Sequence, residues 1–247
     1  AGALKNSGVN KGDRVAFLVP NIPAMLEGHY GPLKIGAVLV AINIRLSARE
    51  ITYILNHSGA KVLVYDSEYA EIVKNIASDV PKVERYVQVA DVFPLNEELN
   101  HTEYEAFLDS APDGEHRDPV DSESDAITIN YTSGTTGLPK GVQYHSRGAY
   151  LAALGEILEI GMNFRSNYLW TLPMFHCNGW CFPWTITERA GTHVCLRQPS
   201  GPAIVEAIDK NKVTHLCGAP IIMQMVAQHI KDADQNIIKN LKMMTAG

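Results

Sequence analysis

The stretch Tyr131-Thr132-Ser133-Gly134-Thr135-Thr136-Gly137-Leu138-Pro139-Lys140-Gly141 (YTSGTTGLPKG) follows directly on the alternating segment Ala126-Ile127-Thr128-Ile129. Apolar–polar alternation reads as a half-buried β-strand, so the quoted stretch is a loop leaving the end of a strand. Gly134, Gly137 and Gly141 let the backbone turn tightly and bring N–H groups close to an anion. Thr132, Ser133, Thr135 and Thr136 add hydroxyl donors, and Lys140 adds a positive charge. A polyphosphate suits that combination. The Walker pattern needs Gly-Lys followed by Ser or Thr, whereas Lys140 stands between Pro139 and Gly141. The glycine spacing of dinucleotide-binding loops is missing too. The bland alternative is an ordinary Gly/Ser/Thr surface loop, which the grouping of hydroxyls, glycines and a lysine directly after a strand disfavours.

Outward from the loop, the chain alternates between short apolar runs and helical periodicity. On the N-terminal side, Arg14 to Val19 reads as a strand and Pro23 to Ile35 as a helix packed by Met25, Leu26, Tyr30 and Leu33. Ala37 to Ile42 is the next strand. Ser47 with Glu50 three residues on forms a capping-box pattern that opens another helix, and Lys61 to Tyr65 is a further strand. Pro81 to Asp125 is less regular, and its part from Asp109 on, rich in Asp, Glu, Ser and Pro, reads as a solvated connector. Beyond the loop, Ser146 caps a helix to about Ile160, and strands are expected at Tyr168 to Leu172, Thr192 to Leu196 and Val213 to Cys217. A helix near Ala203 to Asp209 and another after Pro220 complete the pattern. Strand–helix–strand alternation implies an α/β fold with mostly parallel sheets flanked by helices. We expect two stacked α/β subdomains, residues 1–125 and 126–247. Ala1 to Leu4 reads as the middle of a helix and Met243 to Gly247 as a strand entering a turn, so both ends look cut.

Composition removes several function classes. With 247 residues, 46% of them hydrophobic, the chain buries a full core, which excludes disorder. A net charge of −6 with no basic block argues against nucleic-acid binding. Cys177, Cys181, Cys195 and Cys217 lack framework spacing and read as free thiols in a reducing compartment. The longest apolar run, Ile35 to Ile44, is far short of the roughly 20 residues that cross a bilayer, and no signal segment opens the chain. The expectation is a soluble, cytoplasmic protein with no integral membrane segment.

A second constellation, Leu172-Pro173-Met174-Phe175-His176-Cys177-Asn178-Gly179-Trp180, follows an expected strand at its C-terminal end, where open α/β sheets place ligands. Each residue also has a plainer reading. A lone histidine in an apolar segment is commonly a hydrogen-bonded structural residue. Trp180 and Trp184 are spaced i, i+4 and would both fit a helix core. His176, Cys177 and Cys181 lack a fourth ligand at metal-site spacing. Gly218-Ala219-Pro220 reads equally as a strand-to-helix turn with Pro near the first helical position. His145 and Arg147 are explained by a solvated helix N-terminus.

The loop resembles the signature of the adenylate-forming superfamily, which includes acyl-CoA synthetases, luciferases and peptide-synthetase adenylation domains. The likeness runs from Gly12-Asp13-Arg14-Val15 through Met174-Phe175-His176 to Gly218-Ala219-Pro220, nearly the whole chain. It implies the fold of that superfamily's N-terminal domain, truncated. It implies that Thr132, Ser133, Gly134, Thr135, Thr136, Gly137, Leu138, Pro139 and Lys140 hold ATP by its β- and γ-phosphates, with Thr132 helping to hold Mg2+. By the same resemblance His176 lies near the substrate carboxylate and Trp180 is similar to the gating tryptophan of fatty acyl-CoA synthetases; Gly218, Ala219 and Pro220, directly after the Val213 to Cys217 strand, would let the backbone lie against an acyl chain. Lys140 and His176 are the catalytic candidates. Superfamily members that activate amino acids commonly carry an Asp in the second motif; none stands beside His176 here, which favours an acid with an apolar tail over a buried, unpaired ammonium.

The resemblance therefore implies ATP-dependent conversion of a carboxylic acid, with fatty acids leading, to acyl-AMP and then acyl-CoA, with ATP, Mg2+ and coenzyme A as cofactors or co-substrates. The adenine-binding segment, magnesium-binding glutamate, ribose-binding aspartate and catalytic lysine of that family lie downstream of the matched region, so the chain alone is expected to be inactive. Two rivals stay open: a non-catalytic nucleotide- or acyl-binding module, and another ligase or luciferase-like activity on the same scaffold. Acyl length is not fixed by the sequence, and oligomeric state is open, a homodimer being compatible with the likeness.

Overall fold

The computed structural model describes residues 1–97, 99–111, 114, 121–132, 137–230, 235–239 and 241–245. Backbone contacts divide the chain into two compact units, residues 1–20 with 24–148, and residues 21–23 with 149–247.

The first unit is built on seven strands: β1 (Arg14–Leu18), β2 (Val38–Ala41), β3 (Ala60–Asp66), β4 (Arg85–Val89), β5 (Thr102–Glu103), β6 (Ala126–Thr132) and β7 (Lys140–His145). Their order is β5-β4-β3-β1-β2-β6-β7, parallel throughout except for the antiparallel pair β6–β7. β1, β2 and β3 are almost wholly buried, as near-continuous Val/Ile/Leu/Ala runs require when a parallel sheet is covered on both faces. The connecting helices are α1 (Gly2–Asn6), α2 (Pro23–Gly28), α3 (Ala48–Ser58), α4 (Ala70–Ile76) and α5 (Tyr104–Asp109). The capping box read from Ser47 and Glu50 is present in full at the start of α3: Ser47 Oγ accepts from the Glu50 N–H, and the Glu50 carboxylate accepts from the Ser47 N–H at 2.9 Å.

Three expectations are corrected here. The helix expected over Pro23 to Ile35 stops at Gly28, and only a 3-10 turn at Leu33–Ile35 resumes it, because Gly31 and Pro32 interrupt the hydrogen-bond ladder. The irregular stretch after Pro81 contains β4, β5 and α5. The division between units falls at 148 rather than 125, because β6 hydrogen-bonds to β2 and carries β7 with it into the first sheet.

The second unit carries a four-stranded parallel sheet of β8 (Asn167–Leu169), β9 (Thr192–Val194), β10 (His215–Gly218) and β11 (Lys242–Thr245), ordered β11-β10-β8-β9. Its helices are α6 (Ser146–Ile160), which begins at the junction, α7 (Phe182–Glu188), α8 (Gly201–Lys210) and α9 (Pro220–Ile230). Leu169, Ile204, Ile208, Leu216, Ile222 and Val226 form the core between this sheet and α8 and α9. Ser200 caps α8 through the Ala203 N–H. The cap of α6 comes from His145 rather than Ser146, its Nδ1 accepting from the Gly148 N–H at 2.8 Å. The four cysteines are free thiols. Among the described residues no helix is long and apolar enough to cross a membrane.

Candidate active site

The first group of site residues stands at the mouth of the β6–β7 hairpin. Thr132 ends β6, Lys140 starts β7, and the two are paired directly across the ladder. Cα atoms of such pairs are about 5 Å apart, so a hydroxyl and an ammonium share one small area. Both side chains are exposed, as are Gly137 and Leu138, while Pro139 is half-buried. Ser133, Gly134, Thr135 and Thr136, the remaining residues expected to bind phosphate, lie outside the described residues. Gly141 packs closely on its neighbours: a Cβ there would lie 3.0 Å from Ile129 Cγ2 and 3.3 Å from the Tyr131 ring, so a larger residue would need those side chains to shift. The Tyr131 hydroxyl meets His57 Nδ1 on α3 at 2.8 Å, which ties the end of β6 to its neighbouring helix. The strand β7 fixes where Lys140 sits, and it was not anticipated.

The second group belongs to the second unit and begins where β8 ends. Trp170 still reaches the neighbouring strand, its N–H donating to Val194 O at 2.9 Å; Pro173 then removes a backbone donor. Side chains take over the anchoring. Thr171 Oγ1 donates to Cys217 O at 2.6 Å, and the buried Asn21 uses its amide on three backbone groups of this segment. His176 follows, exposed, with Nε2 3.7 Å from Cys177 Sγ.

The residues after His176 take a conformation that no sequence rule announces. Cys177, Asn178, Gly179, Trp180 and Cys181 have φ of 50°, 50°, 52°, 58° and 66°, a run in the left-handed region. Each L-residue there costs roughly 1–2 kcal/mol, so surrounding contacts must hold the turn. Gly179 packs so tightly on the buried Trp170 ring that a Cβ would lie 2.5 Å from its Cζ3. Thr185 Oγ1, on α7, lies 3.2 Å from Cys181 O and 2.6 Å from Glu156 Oε2 on α6. Burial pushes the Glu156 carboxyl up to about 7, against the opposing hydrogen bond from Thr185. Burial likewise raises the Cys181 and Cys217 thiols to about 12, which leaves neither a ready thiolate ligand or nucleophile. Trp180 stands in the left-handed turn and not in α7, so the reading that paired it with Trp184 as helix core is corrected: α7 starts only at Phe182.

Gly218, Ala219 and Pro220 reach the same end of the sheet, because β10 runs parallel beside β8. Gly218 lets α9 start close to the strand, since a Cβ would meet Ile222 at 2.8 Å. Ala219 and Pro220 are exposed, with Pro220 as the first residue of α9. The structural reading of this turn thus accounts for all three residues, and the exposure leaves the two outer ones open to a ligand.

The loop residues Thr132 to Lys140 lie in the first unit, and His176, Trp180 and the Gly218 turn in the second. Among the described residues no group of three His, Cys, Asp or Glu side chains stands together as a metal site. Sequence reading missed Asn21, Glu156 and Thr185. Asn21 is separated from its partners by 149 to 153 residues, so only the fold reveals it.

The family model of the AMP-binding enzyme matches residues 1–247. The chain is 39% identical over its whole length to an acetate/butyrate–CoA ligase AAE7, peroxisomal, of Arabidopsis thaliana, and 38% identical to 4-hydroxybutyrate–CoA ligase 2 of Metallosphaera sedula, covering 46% of each. It spans about half the length of these curated relatives. The crystal structure of the N-terminal domain of FACL13 from Mycobacterium tuberculosis superposes with a TM-score of 0.85 at 30% identity, over 100% of this chain and 59% of that one.

Proposed function

The chain belongs to the AMP-binding enzyme family, and from that premise we propose that it forms the ATP-handling and acid-handling part of an AMP-forming acid–CoA ligase. The observation that carries the proposal is the Thr132–Lys140 pair at the mouth of the β6–β7 hairpin, flanking a loop of glycines and hydroxyls. A carboxylate is a poor electrophile, so a thiol attacks it only after one oxygen becomes a good leaving group. In the proposed reaction the acid attacks the α-phosphate of ATP, pyrophosphate departs, and the acyl group then passes from AMP to the thiol of CoA. Lys140 neutralises charge on the departing pyrophosphate, and loop N–H and hydroxyl groups orient it. Because positioning and charge stabilisation dominate, no protein nucleophile is needed.

Magnesium fits this donor set as a passenger of the nucleotide: the Thr132 hydroxyl is a hard oxygen ligand, and Mg2+ is usually held by one or two protein oxygens together with substrate phosphates. When bound it would supply charge neutralisation at the phosphates. His176 is assigned to the acid's carboxylate and Trp180 to the acyl path. We take short acyl acids first among substrates, ahead of long fatty chains, a choice supported by the names of the two relatives. For compartment, the sequence reading proposes the cytoplasm, while the Arabidopsis relative is named peroxisomal; fractionation of the full-length protein decides between them.

The experiment is pyrophosphate exchange into ATP by the full-length protein over a panel of short and long carboxylic acids and amino acids, with Lys140→Ala as control. Acid-dependent exchange, lost in Lys140→Ala, is expected. Exchange with amino acids alone, or none with any acid, contradicts the proposal.

A further inference from the structure

Between the end of β8 and His176 the chain leaves the sheet ladder, and Asn21 replaces it. Asn21 is 7% exposed and clusters with the second unit. Its Nδ2 donates to the carbonyls of Trp170 at 3.1 Å and Leu172 at 2.7 Å, and its Oδ1 accepts from the Met174 N–H at 2.9 Å. Both amide hydrogens and the oxygen are used, on a segment of buried residues that includes Trp170 and Met174, each 0% exposed. Pro173, in the middle of the clamp, has no N–H of its own. Only Phe175 separates the clamp from His176, a reach of about 7 Å at most. Any slack at Met174 therefore passes directly to the His176 side chain and to the left-handed turn behind it.

We propose that Asn21 is a positioning residue for the acid half-reaction, holding residues 170–174 so that His176 meets the substrate carboxylate in one place. The inference rests on the reading of His176 given above. An amide is suited to this work because it alone offers two donors and an acceptor in one plane; Asp keeps the acceptor but sets oxygen against two carbonyls, and Ala keeps nothing. Misplacement of a reacting group by about 1 Å costs on the order of a hundredfold in rate, so a loosened clamp acts on turnover of the acid without touching the nucleotide loop.

The test uses the full-length enzyme and pyrophosphate exchange. Asn21→Ala is expected to lower kcat/KM for the acid by about tenfold to a hundredfold while KM for ATP stays within about twofold. Combining it with His176→Ala should add little to the loss of His176→Ala alone, since both act through one contact. Asn167→Ala serves as the structural control: it removes hydrogen bonds to Asn211 O and Lys212 O at the other end of β8, and should leave that ratio unchanged. Should Asn21→Ala fail to fold, Asn21→Asp decides. Its carboxyl, facing carbonyls, can donate only when protonated, so the acid-specific defect should be smaller near about pH 6 than near about pH 8.5. An acid kcat/KM unchanged in Asn21→Ala, a KM for ATP raised as far as the acid kcat/KM falls, or a defect of Asn21→Asp that ignores pH overturns the inference. A His176→Ala enzyme with unaltered acid kinetics instead overturns the underlying reading of His176.

Discussion

Replacing Gly179 by Ala tests how tightly the left-handed turn is held. Gly179 has φ of 52°, where an L-residue costs about 1–2 kcal/mol. The new methyl would lie 2.5 Å from Trp170 Cζ3 and 3.1 Å from its Cη2. Trp170 cannot swing aside cheaply: it is fully buried, its Nε1–H donates to His193 Nδ1 at 3.1 Å, and its ring stacks on that of His193. Overpacking of this kind adds about 1–3 kcal/mol. Loss of unfolded-state freedom offsets about 0.4–1 kcal/mol, which leaves a net destabilisation of about 2–4 kcal/mol. Urea unfolding followed by tryptophan fluorescence measures it, because Trp170, Trp180 and Trp184, the three tryptophans of the chain, all lie in the second unit. The unfolding midpoint should fall without a change in slope. Gly155→Ala is the matched control: Gly155 sits in the middle of α6 with nothing within 4 Å of its would-be Cβ, so Ala should stabilise by about 0.5–1 kcal/mol. A midpoint for Gly179→Ala equal to that of the parent protein would refute the strained-turn account.

Two other outcomes follow from the groups around that turn. Glu156 has its folded-state value raised to about 7 from the usual 4.5, so the folded protein holds the proton more tightly and stability is lost as pH rises from about 4.5 to about 7. Glu156→Gln, which keeps a partner for Thr185, should remove that dependence; a variant whose urea midpoint tracks the parent's at every pH would contradict the assignment. With Cys181 and Cys217 buried and held near 12, and Cys177 and Cys195 half-exposed, a thiol reagent at neutral pH should titrate two thiols quickly in the native protein and four after denaturation. Four fast thiols in the native state would rule this out.

The α/β architecture was legible because its signals are local. Apolar runs at 14–19, 37–42 and 61–65 became β1, β2 and β3, and the Ser47/Glu50 pair announced α3. β7 was hidden because Lys140 to His145 has no buried face: all but Tyr144 are exposed, so the apolar pattern that marks a strand is missing. The left-handed turn at 177–181 was hidden for another reason. Four of its five residues are not glycine, and packing against Trp170 and Thr185 imposes what local preference opposes. Asn21 shows the third limit, since a polar residue whose partners lie some 150 positions away leaves no trace in any window of sequence. Of the candidate site, the motifs were readable and their scaffolding was not.

In the proposed function the loop closed by Thr132 and Lys140 grips the triphosphate of ATP. Titration calorimetry of the full-length protein with Mg-ATP, for the parent and Lys140→Ala, tests it without requiring turnover. A charge-assisted contact worth about 1.5–3 kcal/mol corresponds to a Kd weakened about tenfold to a hundredfold in Lys140→Ala, and that is the predicted result. Equal affinity in the two proteins would contradict the account.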